Sequence, residues 1–216
     1  MKIGIIFDLD GTLLDTLEDL HAAVNHTLSQ FGCPPRTIEE VRQFVGNGVD
    51  QLVRLSLPGA STDPDADQVI AAYRAYYNAH CREKTGPYAG IPETLAALEA
   101  DFPLAVVSNK PDSAVKPLCR EYFGTVFALG ERRDSPRKPA PDMLWRAMAA
   151  IGVEKCIYVG DSEVDILTAS NAGVPCLSVT WGFRDRDALL AAGGKYFCDD
   201  PRQLPQTLRA MAADIF

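Results

Sequence analysis

The sequence predicts a doubly wound α/β fold, a Rossmann-like parallel sheet with an all-helical segment inserted after its first strand. Three observations carry this. Short, continuously apolar runs rich in β-branched residues recur along the chain. Stretches with helical spacing lie between them, and one long interval holds helical patterns without a strand. Strands that are apolar throughout are buried on both faces, and in an alternating β/α order this means a parallel sheet covered by helices on either side.

The apolar runs are IGIIF (3–7), LAVVS (104–108), TVFAL (125–129), CIYVG (156–160) and CLSVT (176–180). Between them, PETLAALEAD (92–101), PDMLWRAMAAIG (141–152) and DILTASNAG (165–173) read as helices. The last two end in Gly152 and Gly173, as helices often do. From about Thr16 to Cys81 no strand pattern occurs. TLEDLHAAVNHTLSQF puts Leu17, Leu20, Val24, Leu28 and Phe31 on one stripe, and DQVIAAYRAYYNAHC reads as a second long helix. TIEEVRQFVGNGVDQLVRLSL reads as two shorter helices around Gly46-Asn47-Gly48. The expected organisation is therefore an α/β core of 1–15 and 85–216 with a helical domain of 16–84. The joints are expected near Leu14–Thr16 and in the Gly/Pro-containing TGPYAG (85–90).

Composition narrows the function. With 216 residues, 47% of them hydrophobic, the chain can bury a sizeable core. A net charge of -8 speaks against a nucleic-acid surface and suits metal cations better than polyanions. Cys33, Cys81, Cys119, Cys156, Cys176 and Cys198 include no CxxC pair, so zinc spacing is absent and a reduced, cytoplasmic compartment is expected. The opening MKIGIIF runs straight into acid, unlike a leader, and no run approaches the about 20 apolar residues of a membrane span.

In open α/β sheets ligands bind beyond the carboxyl ends of the strands. The first strand is followed by Asp8-Leu9-Asp10-Gly11-Thr12, the second by Ser108-Asn109-Lys110, and the fourth by Gly160-Asp161-Ser162-Glu163-Val164-Asp165. Lys138-Pro139-Ala140-Pro141 precedes a helix. Each has an ordinary reading alone: a turn, a polar loop, a helix cap or a solvated lysine. A calcium loop is excluded, because the sixth and twelfth positions from Asp161 are Ile166 and Ala172 rather than Gly and Glu. All four together place carboxylates, a hydroxyl and cations at one sheet edge. That set can supply a carboxylate nucleophile, oxygen ligands for Mg²⁺, and a lysine for charge on a transferred phosphoryl group.

At FDLDGTLLDT, VVSNK, KPAP and GDSEVD the chain resembles the haloacid dehalogenase superfamily of aspartate-nucleophile phosphatases, over its whole length and in motif order. The insertion takes the place of that family's type-1 helical cap. The resemblance implies Asp8 as nucleophile, Asp10 as general acid and then base, Ser108 as a phosphoryl hydrogen-bond donor, and Lys138 as the neutralising cation. It implies Mg²⁺ held by Asp8, the Asp10 carbonyl and Asp161, with Asp165 in support. Gly11, Thr12, Asn109 and Lys110, with Asn47 and Gly48 in the cap, are the expected substrate-binding residues.

Asp10 argues against dehalogenation, since a departing halide needs no proton whereas an alkoxide does. FVGNGVDQLVRLSL, VVSNKP and SVTWGFRDRDAL resemble the phosphoglycolate phosphatase-like group. The expectation is hydrolysis of a small phosphomonoester by a monomer or homodimer, without nucleic acid or membrane. Pyrophosphate, sugar phosphates and nucleotides remain alternative substrates, and a non-catalytic metal- or phosphate-binding module the alternative of another class. A mutase lacks support because His21 is out of register with the cap histidine-lysine region of β-phosphoglucomutases. Gly46-Asn47-Gly48 reads equally as a substrate loop or an interhelical turn. Arg54 reads as a solvated helix residue or a carboxylate contact. His21, His26 and His80 all lie in the insertion, which leaves a Ser-His-Asp site without a core histidine.

Overall fold

The computed structural model describes residues 2–59, 64–124, 126–132 and 135–216. They form two compact units, Met1–Leu14 with Pro87–Phe216, and Asp15–Gly86. No helix among the described residues is long and apolar enough to cross a membrane.

In chain order the strands are β1 (Ile3–Phe7), β2 (Leu14–Asp15), β3 (Gly86–Pro87), β4 (Leu104–Pro111), β5 (Phe127–Glu131), β6 (Lys155–Gly160), β7 (Cys176–Val179) and β8 (Tyr196–Cys198). The helices are α1 (Leu17–Gln30), α2 (Ile38–Phe44), α3 (Gly48–Ser56), α4 (Ala66–His80), α5 (Ile91–Glu99), α6 (Asp112–Phe123), α7 (Asp142–Ala150), α8 (Glu163–Ala172), α9 (Arg186–Ala191) and α10 (Leu204–Ile215). The short β2 and β3 pair where the chain crosses between the units.

The larger unit holds a six-stranded sheet of order β5-β4-β1-β6-β7-β8, parallel throughout. The chain starts at the centre with β1, steps outward through β4 and β5, and returns on the other side of β1 with β6. That reversal opens a crevice beyond the carboxyl ends of β1 and β6. Phe7 is level with both Val106 and Val159, so Asp8 emerges beside Asp161 and near Ser108.

Side chains alternate between two covered faces, as a doubly wound sheet requires. Ile5, Phe7, Val106, Ile157 and Val159 pack with Leu95, Val115 and Leu208 of α5, α6 and α10. Ile6, Ala105, Val107, Cys156 and Tyr158 pack with Leu144 and Ala147 of α7 and Ala169 of α8. Each fully buried aliphatic side chain contributes about 1.5–3 kcal/mol.

The smaller unit is helical. Leu20, Val24 and Leu28 are buried on α1, whereas Leu17 and Phe31 at the ends of the expected stripe are half-buried. The four helices bury Val41, Leu52, Val53, Val69, Tyr73 and Tyr77 among them. Thr37 and Glu40 cap α2 reciprocally, and Arg36 donates to the carbonyls of Ser56 and Leu57. Tyr76 instead stacks between His26 and His80, with centroids 3.7 and 4.1 Å away.

Two expectations need correction. The third strand runs from Phe127 to Glu131 rather than 125–129, and Thr125 lies outside the described residues. Ser108, Asn109 and Lys110 do not follow the second long strand but belong to it, since β4 continues to Pro111. Its pairing with β5 is irregular there: Val107 pairs with Leu129, and the next pair is Pro111 with Glu131. Such an irregularity departs from strict alternation and re-aims side chains.

Candidate active site

The loop after β1 is anchored by its leucines. Leu9, Leu13 and Leu14 are fully buried, and the Leu9 carbonyl accepts from the N–H groups of Thr12, Leu13 and Leu14 at 3.3, 3.0 and 2.9 Å. Asp8 N–H donates to the Val159 carbonyl at 2.8 Å, which continues the β1–β6 ladder by one residue. Gly11 has φ +83°, and a Cβ there would collide with the Asp161 carboxylate. Only glycine meets both conditions without strain.

Asp161 leaves the end of β6 and is nearly fully buried. Its Oδ1 accepts from Thr12 Oγ1 at 2.8 Å and its Oδ2 from Phe183 N–H at 2.8 Å. Asp165, in the first turn of α8, accepts from Ser162 N–H and Oγ at 3.1 and 2.6 Å through Oδ2. Its Oδ1 accepts from Lys138 Nζ at 2.8 Å and Tyr158 OH at 3.1 Å. Gly160 lets α8 fold back this closely, because a Cβ there would overlap the Asp165 side chain.

Lys138 comes from the loop before α7. Its main chain is gripped from both sides by Asn109, whose Oδ1 accepts from Lys138 N–H at 2.8 Å and whose Nδ2 donates to the Lys138 carbonyl at 2.9 Å. Its ammonium faces three acceptors: Asp8 Oδ1 at 2.9 Å, Asp165 Oδ1 at 2.8 Å and Tyr158 OH at 3.0 Å. Asp8 Oδ1 is close to the ammonium, yet no donor is aligned on it as a hydrogen bond. Ser108 Oγ accepts from Lys110 N–H at 3.2 Å, and Lys110 Nζ lies 2.8 Å from Asp10 Oδ1.

Ligand oxygens of Asp8, Asp161 and Asp165 lie within 4.8 Å of one another, a group able to hold a metal ion. Burial pushes the Asp8 carboxyl well above its ordinary range; the Lys138 ammonium opposes this, and neighbouring Asp165 and Asp161 reinforce it. Burial, then Asp165, pushes Asp161 up to about 7 despite the Phe183 and Thr12 hydrogen bonds. Burial alone would lower the Lys138 ammonium, but Asp165 and Asp8 reverse this and hold it above its usual value. One ammonium thus serves three buried carboxylates, and an added divalent cation with oxygen preference would balance them. The buried, unaligned Asp8 oxygen and the all-oxygen donor set fit Mg²⁺.

Asp8, Asp10, Gly11, Thr12, Ser108, Asn109, Lys110, Lys138, Asp161 and Asp165 all belong to the larger unit. Within it Thr12 donates to Asp161, and Asn109 holds the Lys138 main chain. Asn47 and Gly48 lie in the smaller unit at the start of α3, flanked by Gly46 at φ +125°, with Gly48 at φ +80°. Arg54 pairs with Asp67 at 2.6 Å on an exposed surface. Tyr158 and the Phe183 N–H were not anticipated. A tyrosine inside an otherwise aliphatic buried strand, whose hydroxyl must find a partner, was the available signal for the first. For the second it was glycine beside aromatics, in Trp181-Gly182-Phe183, just past a strand end.

A family profile described as haloacid dehalogenase-like hydrolase matches residues 5–179. The chain belongs to the haloacid dehalogenase-like hydrolases. This hydrolase is 36% identical over 212 residues to the phosphoglycolate phosphatase of Pseudomonas putida, covering 93% of this chain and 77% of the relative. A crystal structure of a candidate phosphoglycolate phosphatase from Lactobacillus delbrueckii superposes with a TM-score of 0.87 at 37% identity, covering 96% of this chain and 99% of that one. CbbY from Rhodobacter sphaeroides, solved in complex with phosphate, superposes with a TM-score of 0.80 at 26% identity, covering 97% and 100%. The parallel, helix-flanked sheet is the fold of these haloacid dehalogenase-like proteins.

Proposed function

We propose that this hydrolase is a Mg²⁺-dependent phosphomonoesterase that cleaves 2-phosphoglycolate through a phosphoaspartate on Asp8. The observation that carries the reading is the buried set Asp8, Asp161 and Asp165 around the Lys138 ammonium, with a second carboxylate, Asp10, two residues after the first. The substrate rests on the 36% identity to the Pseudomonas putida enzyme and on the similarity to the Lactobacillus delbrueckii structure.

In this reading an Asp8 oxygen attacks phosphorus and forms an O–P bond as the bond to the leaving alcohol breaks. Asp10 gives its proton to the departing oxygen, which then leaves as an alcohol rather than an alkoxide. Asp10 next takes a proton from water as that water attacks phosphorus, and the Asp8 carboxylate is released with inorganic phosphate. Ser108 Oγ donates to a phosphoryl oxygen, and Lys138 neutralises charge shared between that group and Asp8. Asp8, the Asp10 carbonyl and Asp161 would hold Mg²⁺, with Asp165 in support; bound there, it supplies positive charge for the phosphoryl oxygens. Asp15–Gly86 is assigned the part of the helical cap, with Asn47 and Gly48 as specificity residues.

The test is initial phosphate release with Mg²⁺ from 2-phosphoglycolate, pyrophosphate, sugar phosphates and nucleoside monophosphates, with Asp8→Asn as the blank. The expected result is a kcat/KM for 2-phosphoglycolate well above the others, at or beyond about 10⁴ M⁻¹s⁻¹. Even rates across the panel would reject the substrate assignment, and no release above the blank would reject the phosphatase.

A further inference from the structure

Lys110 was expected to bind substrate, yet its surroundings suit another task. Its side chain is only 2% exposed, and its ammonium lies 2.8 Å from Asp10 Oδ1, whose side chain is 14% exposed. The Lys110 backbone is fixed as well: its N–H donates to Ser108 Oγ, and ladder pairing with β5 resumes at the next residue, Pro111. Successive residues of β4 serve different neighbours, Asn109 the Lys138 main chain and Lys110 the Asp10 carboxylate, as side chains that alternate along a strand can. Asp10, by contrast, lies outside the six-stranded sheet, in an isolated bridge to Leu14 just before Gly11. Lysine reach from a rigid strand to an acid on a loop is a way of holding that acid in one place.

We propose that Lys110 is the positioning residue for Asp10, holding its carboxylate where a proton can be passed first to the leaving oxygen and then from the attacking water. The proposal rests on the acid–base reading of Asp10 given above. Lys110 makes and breaks no covalent bond. Proton transfer needs the donor within hydrogen-bond reach of the reacting oxygen, so a rotated Asp10 fails even when present. Lys138 is already committed to Asp8 and Asp165, and the two lysines thus attend the two aspartates of the motif separately.

Leaving-group chemistry separates this role from substrate binding. Glycolate must leave with a proton, whereas p-nitrophenolate leaves readily without one. Rapid-mixing kinetics on the full chain with Mg²⁺ would compare wild type, Lys110→Met and Lys110→Gln on 2-phosphoglycolate and p-nitrophenyl phosphate. In Lys110→Met, phosphoenzyme formation from 2-phosphoglycolate should slow by about 10²-fold, while the p-nitrophenolate burst slows far less. Turnover after the burst should also slow, because Asp10 no longer activates water. Lys110→Gln, which keeps a donor toward Asp10 and guards against a folding failure, should show the same pattern to a smaller degree. In an Asp10→Asn background, Lys110→Met should add little, since residues acting as a unit are not additive. A raised KM for 2-phosphoglycolate with unchanged kcat would overturn the proposal in favour of a substrate contact. Equal slowing of both first steps would overturn it too. Wild-type protein inactive on both substrates would instead remove the phosphatase reading, and this proposal with it.

Discussion

Lys138 Nζ lies 2.9 Å from Asp8 Oδ1, and the same ammonium is held by Asp165 and Tyr158 beneath it. The candidate nucleophile therefore faces a cation that other buried groups keep in place. Lys138→Met would leave three carboxylates buried with no ammonium. Activity should fall by at least about 10²-fold, and urea denaturation without metal should show a loss of about 3–5 kcal/mol.

Asn109 holds that lysine through its backbone, with hydrogen bonds of 2.8 and 2.9 Å. Asn109→Ala leaves a buried N–H and a buried carbonyl unpaired. The expected stability cost is about 1–3 kcal/mol, and steady-state kinetics should show kcat falling with KM nearly unchanged. A rise confined to KM would make Asn109 a substrate contact after all.

The Gly11 position tolerates no side chain, given its φ of +83° and the Asp161 carboxylate in the space a Cβ would take. Gly11→Ala incurs about 1–2 kcal/mol for the left-handed backbone, and the methyl group also displaces Asp161. The melting temperature should drop, and the upward shift on adding Mg²⁺ should shrink or vanish.

Metal-free protein should lose stability as pH rises. Asp161 has its carboxyl pushed up to about 7 in the fold, from an ordinary value of 3.8, by burial and then by Asp165. Asp8 is raised in the same direction, by burial first. A carboxyl raised by folding binds its proton more tightly in the folded state. Its contribution is complete below about pH 4 and is lost as pH climbs through about 7. Thermal melts with chelator should fall across this window, and Mg²⁺ should raise the melting temperature more at pH 8 than at pH 5.5. An equal Mg²⁺ shift at both values would mean that these carboxylates are not its ligands.

Much of this was readable because the sheet is buried on both faces. IGIIF and CIYVG stand out from their surroundings as short apolar runs, and β1 matches its expected span. The acids follow strand ends, where chemistry and topology agree. Less was readable where local pattern is weak. Pro117 interrupts the helical signature of α6, and the three-residue edge strand β8 is too short to show periodicity. The contacts of Lys110, Asn109 and Thr12 were hidden for another reason. Each touches a residue distant in sequence, from Lys110 to Asp10 and from Thr12 to Asp161, and only the folded sheet brings the partners together.

Acid quench of the wild-type enzyme within a single turnover of ³²P-labelled 2-phosphoglycolate, followed by peptide mapping, addresses the chemistry most directly. The expected result is label on the peptide containing Asp8, lost during a chase with unlabelled substrate and absent in Asp8→Asn. Phosphate released with no label ever on the protein, or label on a different residue, would contradict Asp8 as the nucleophile.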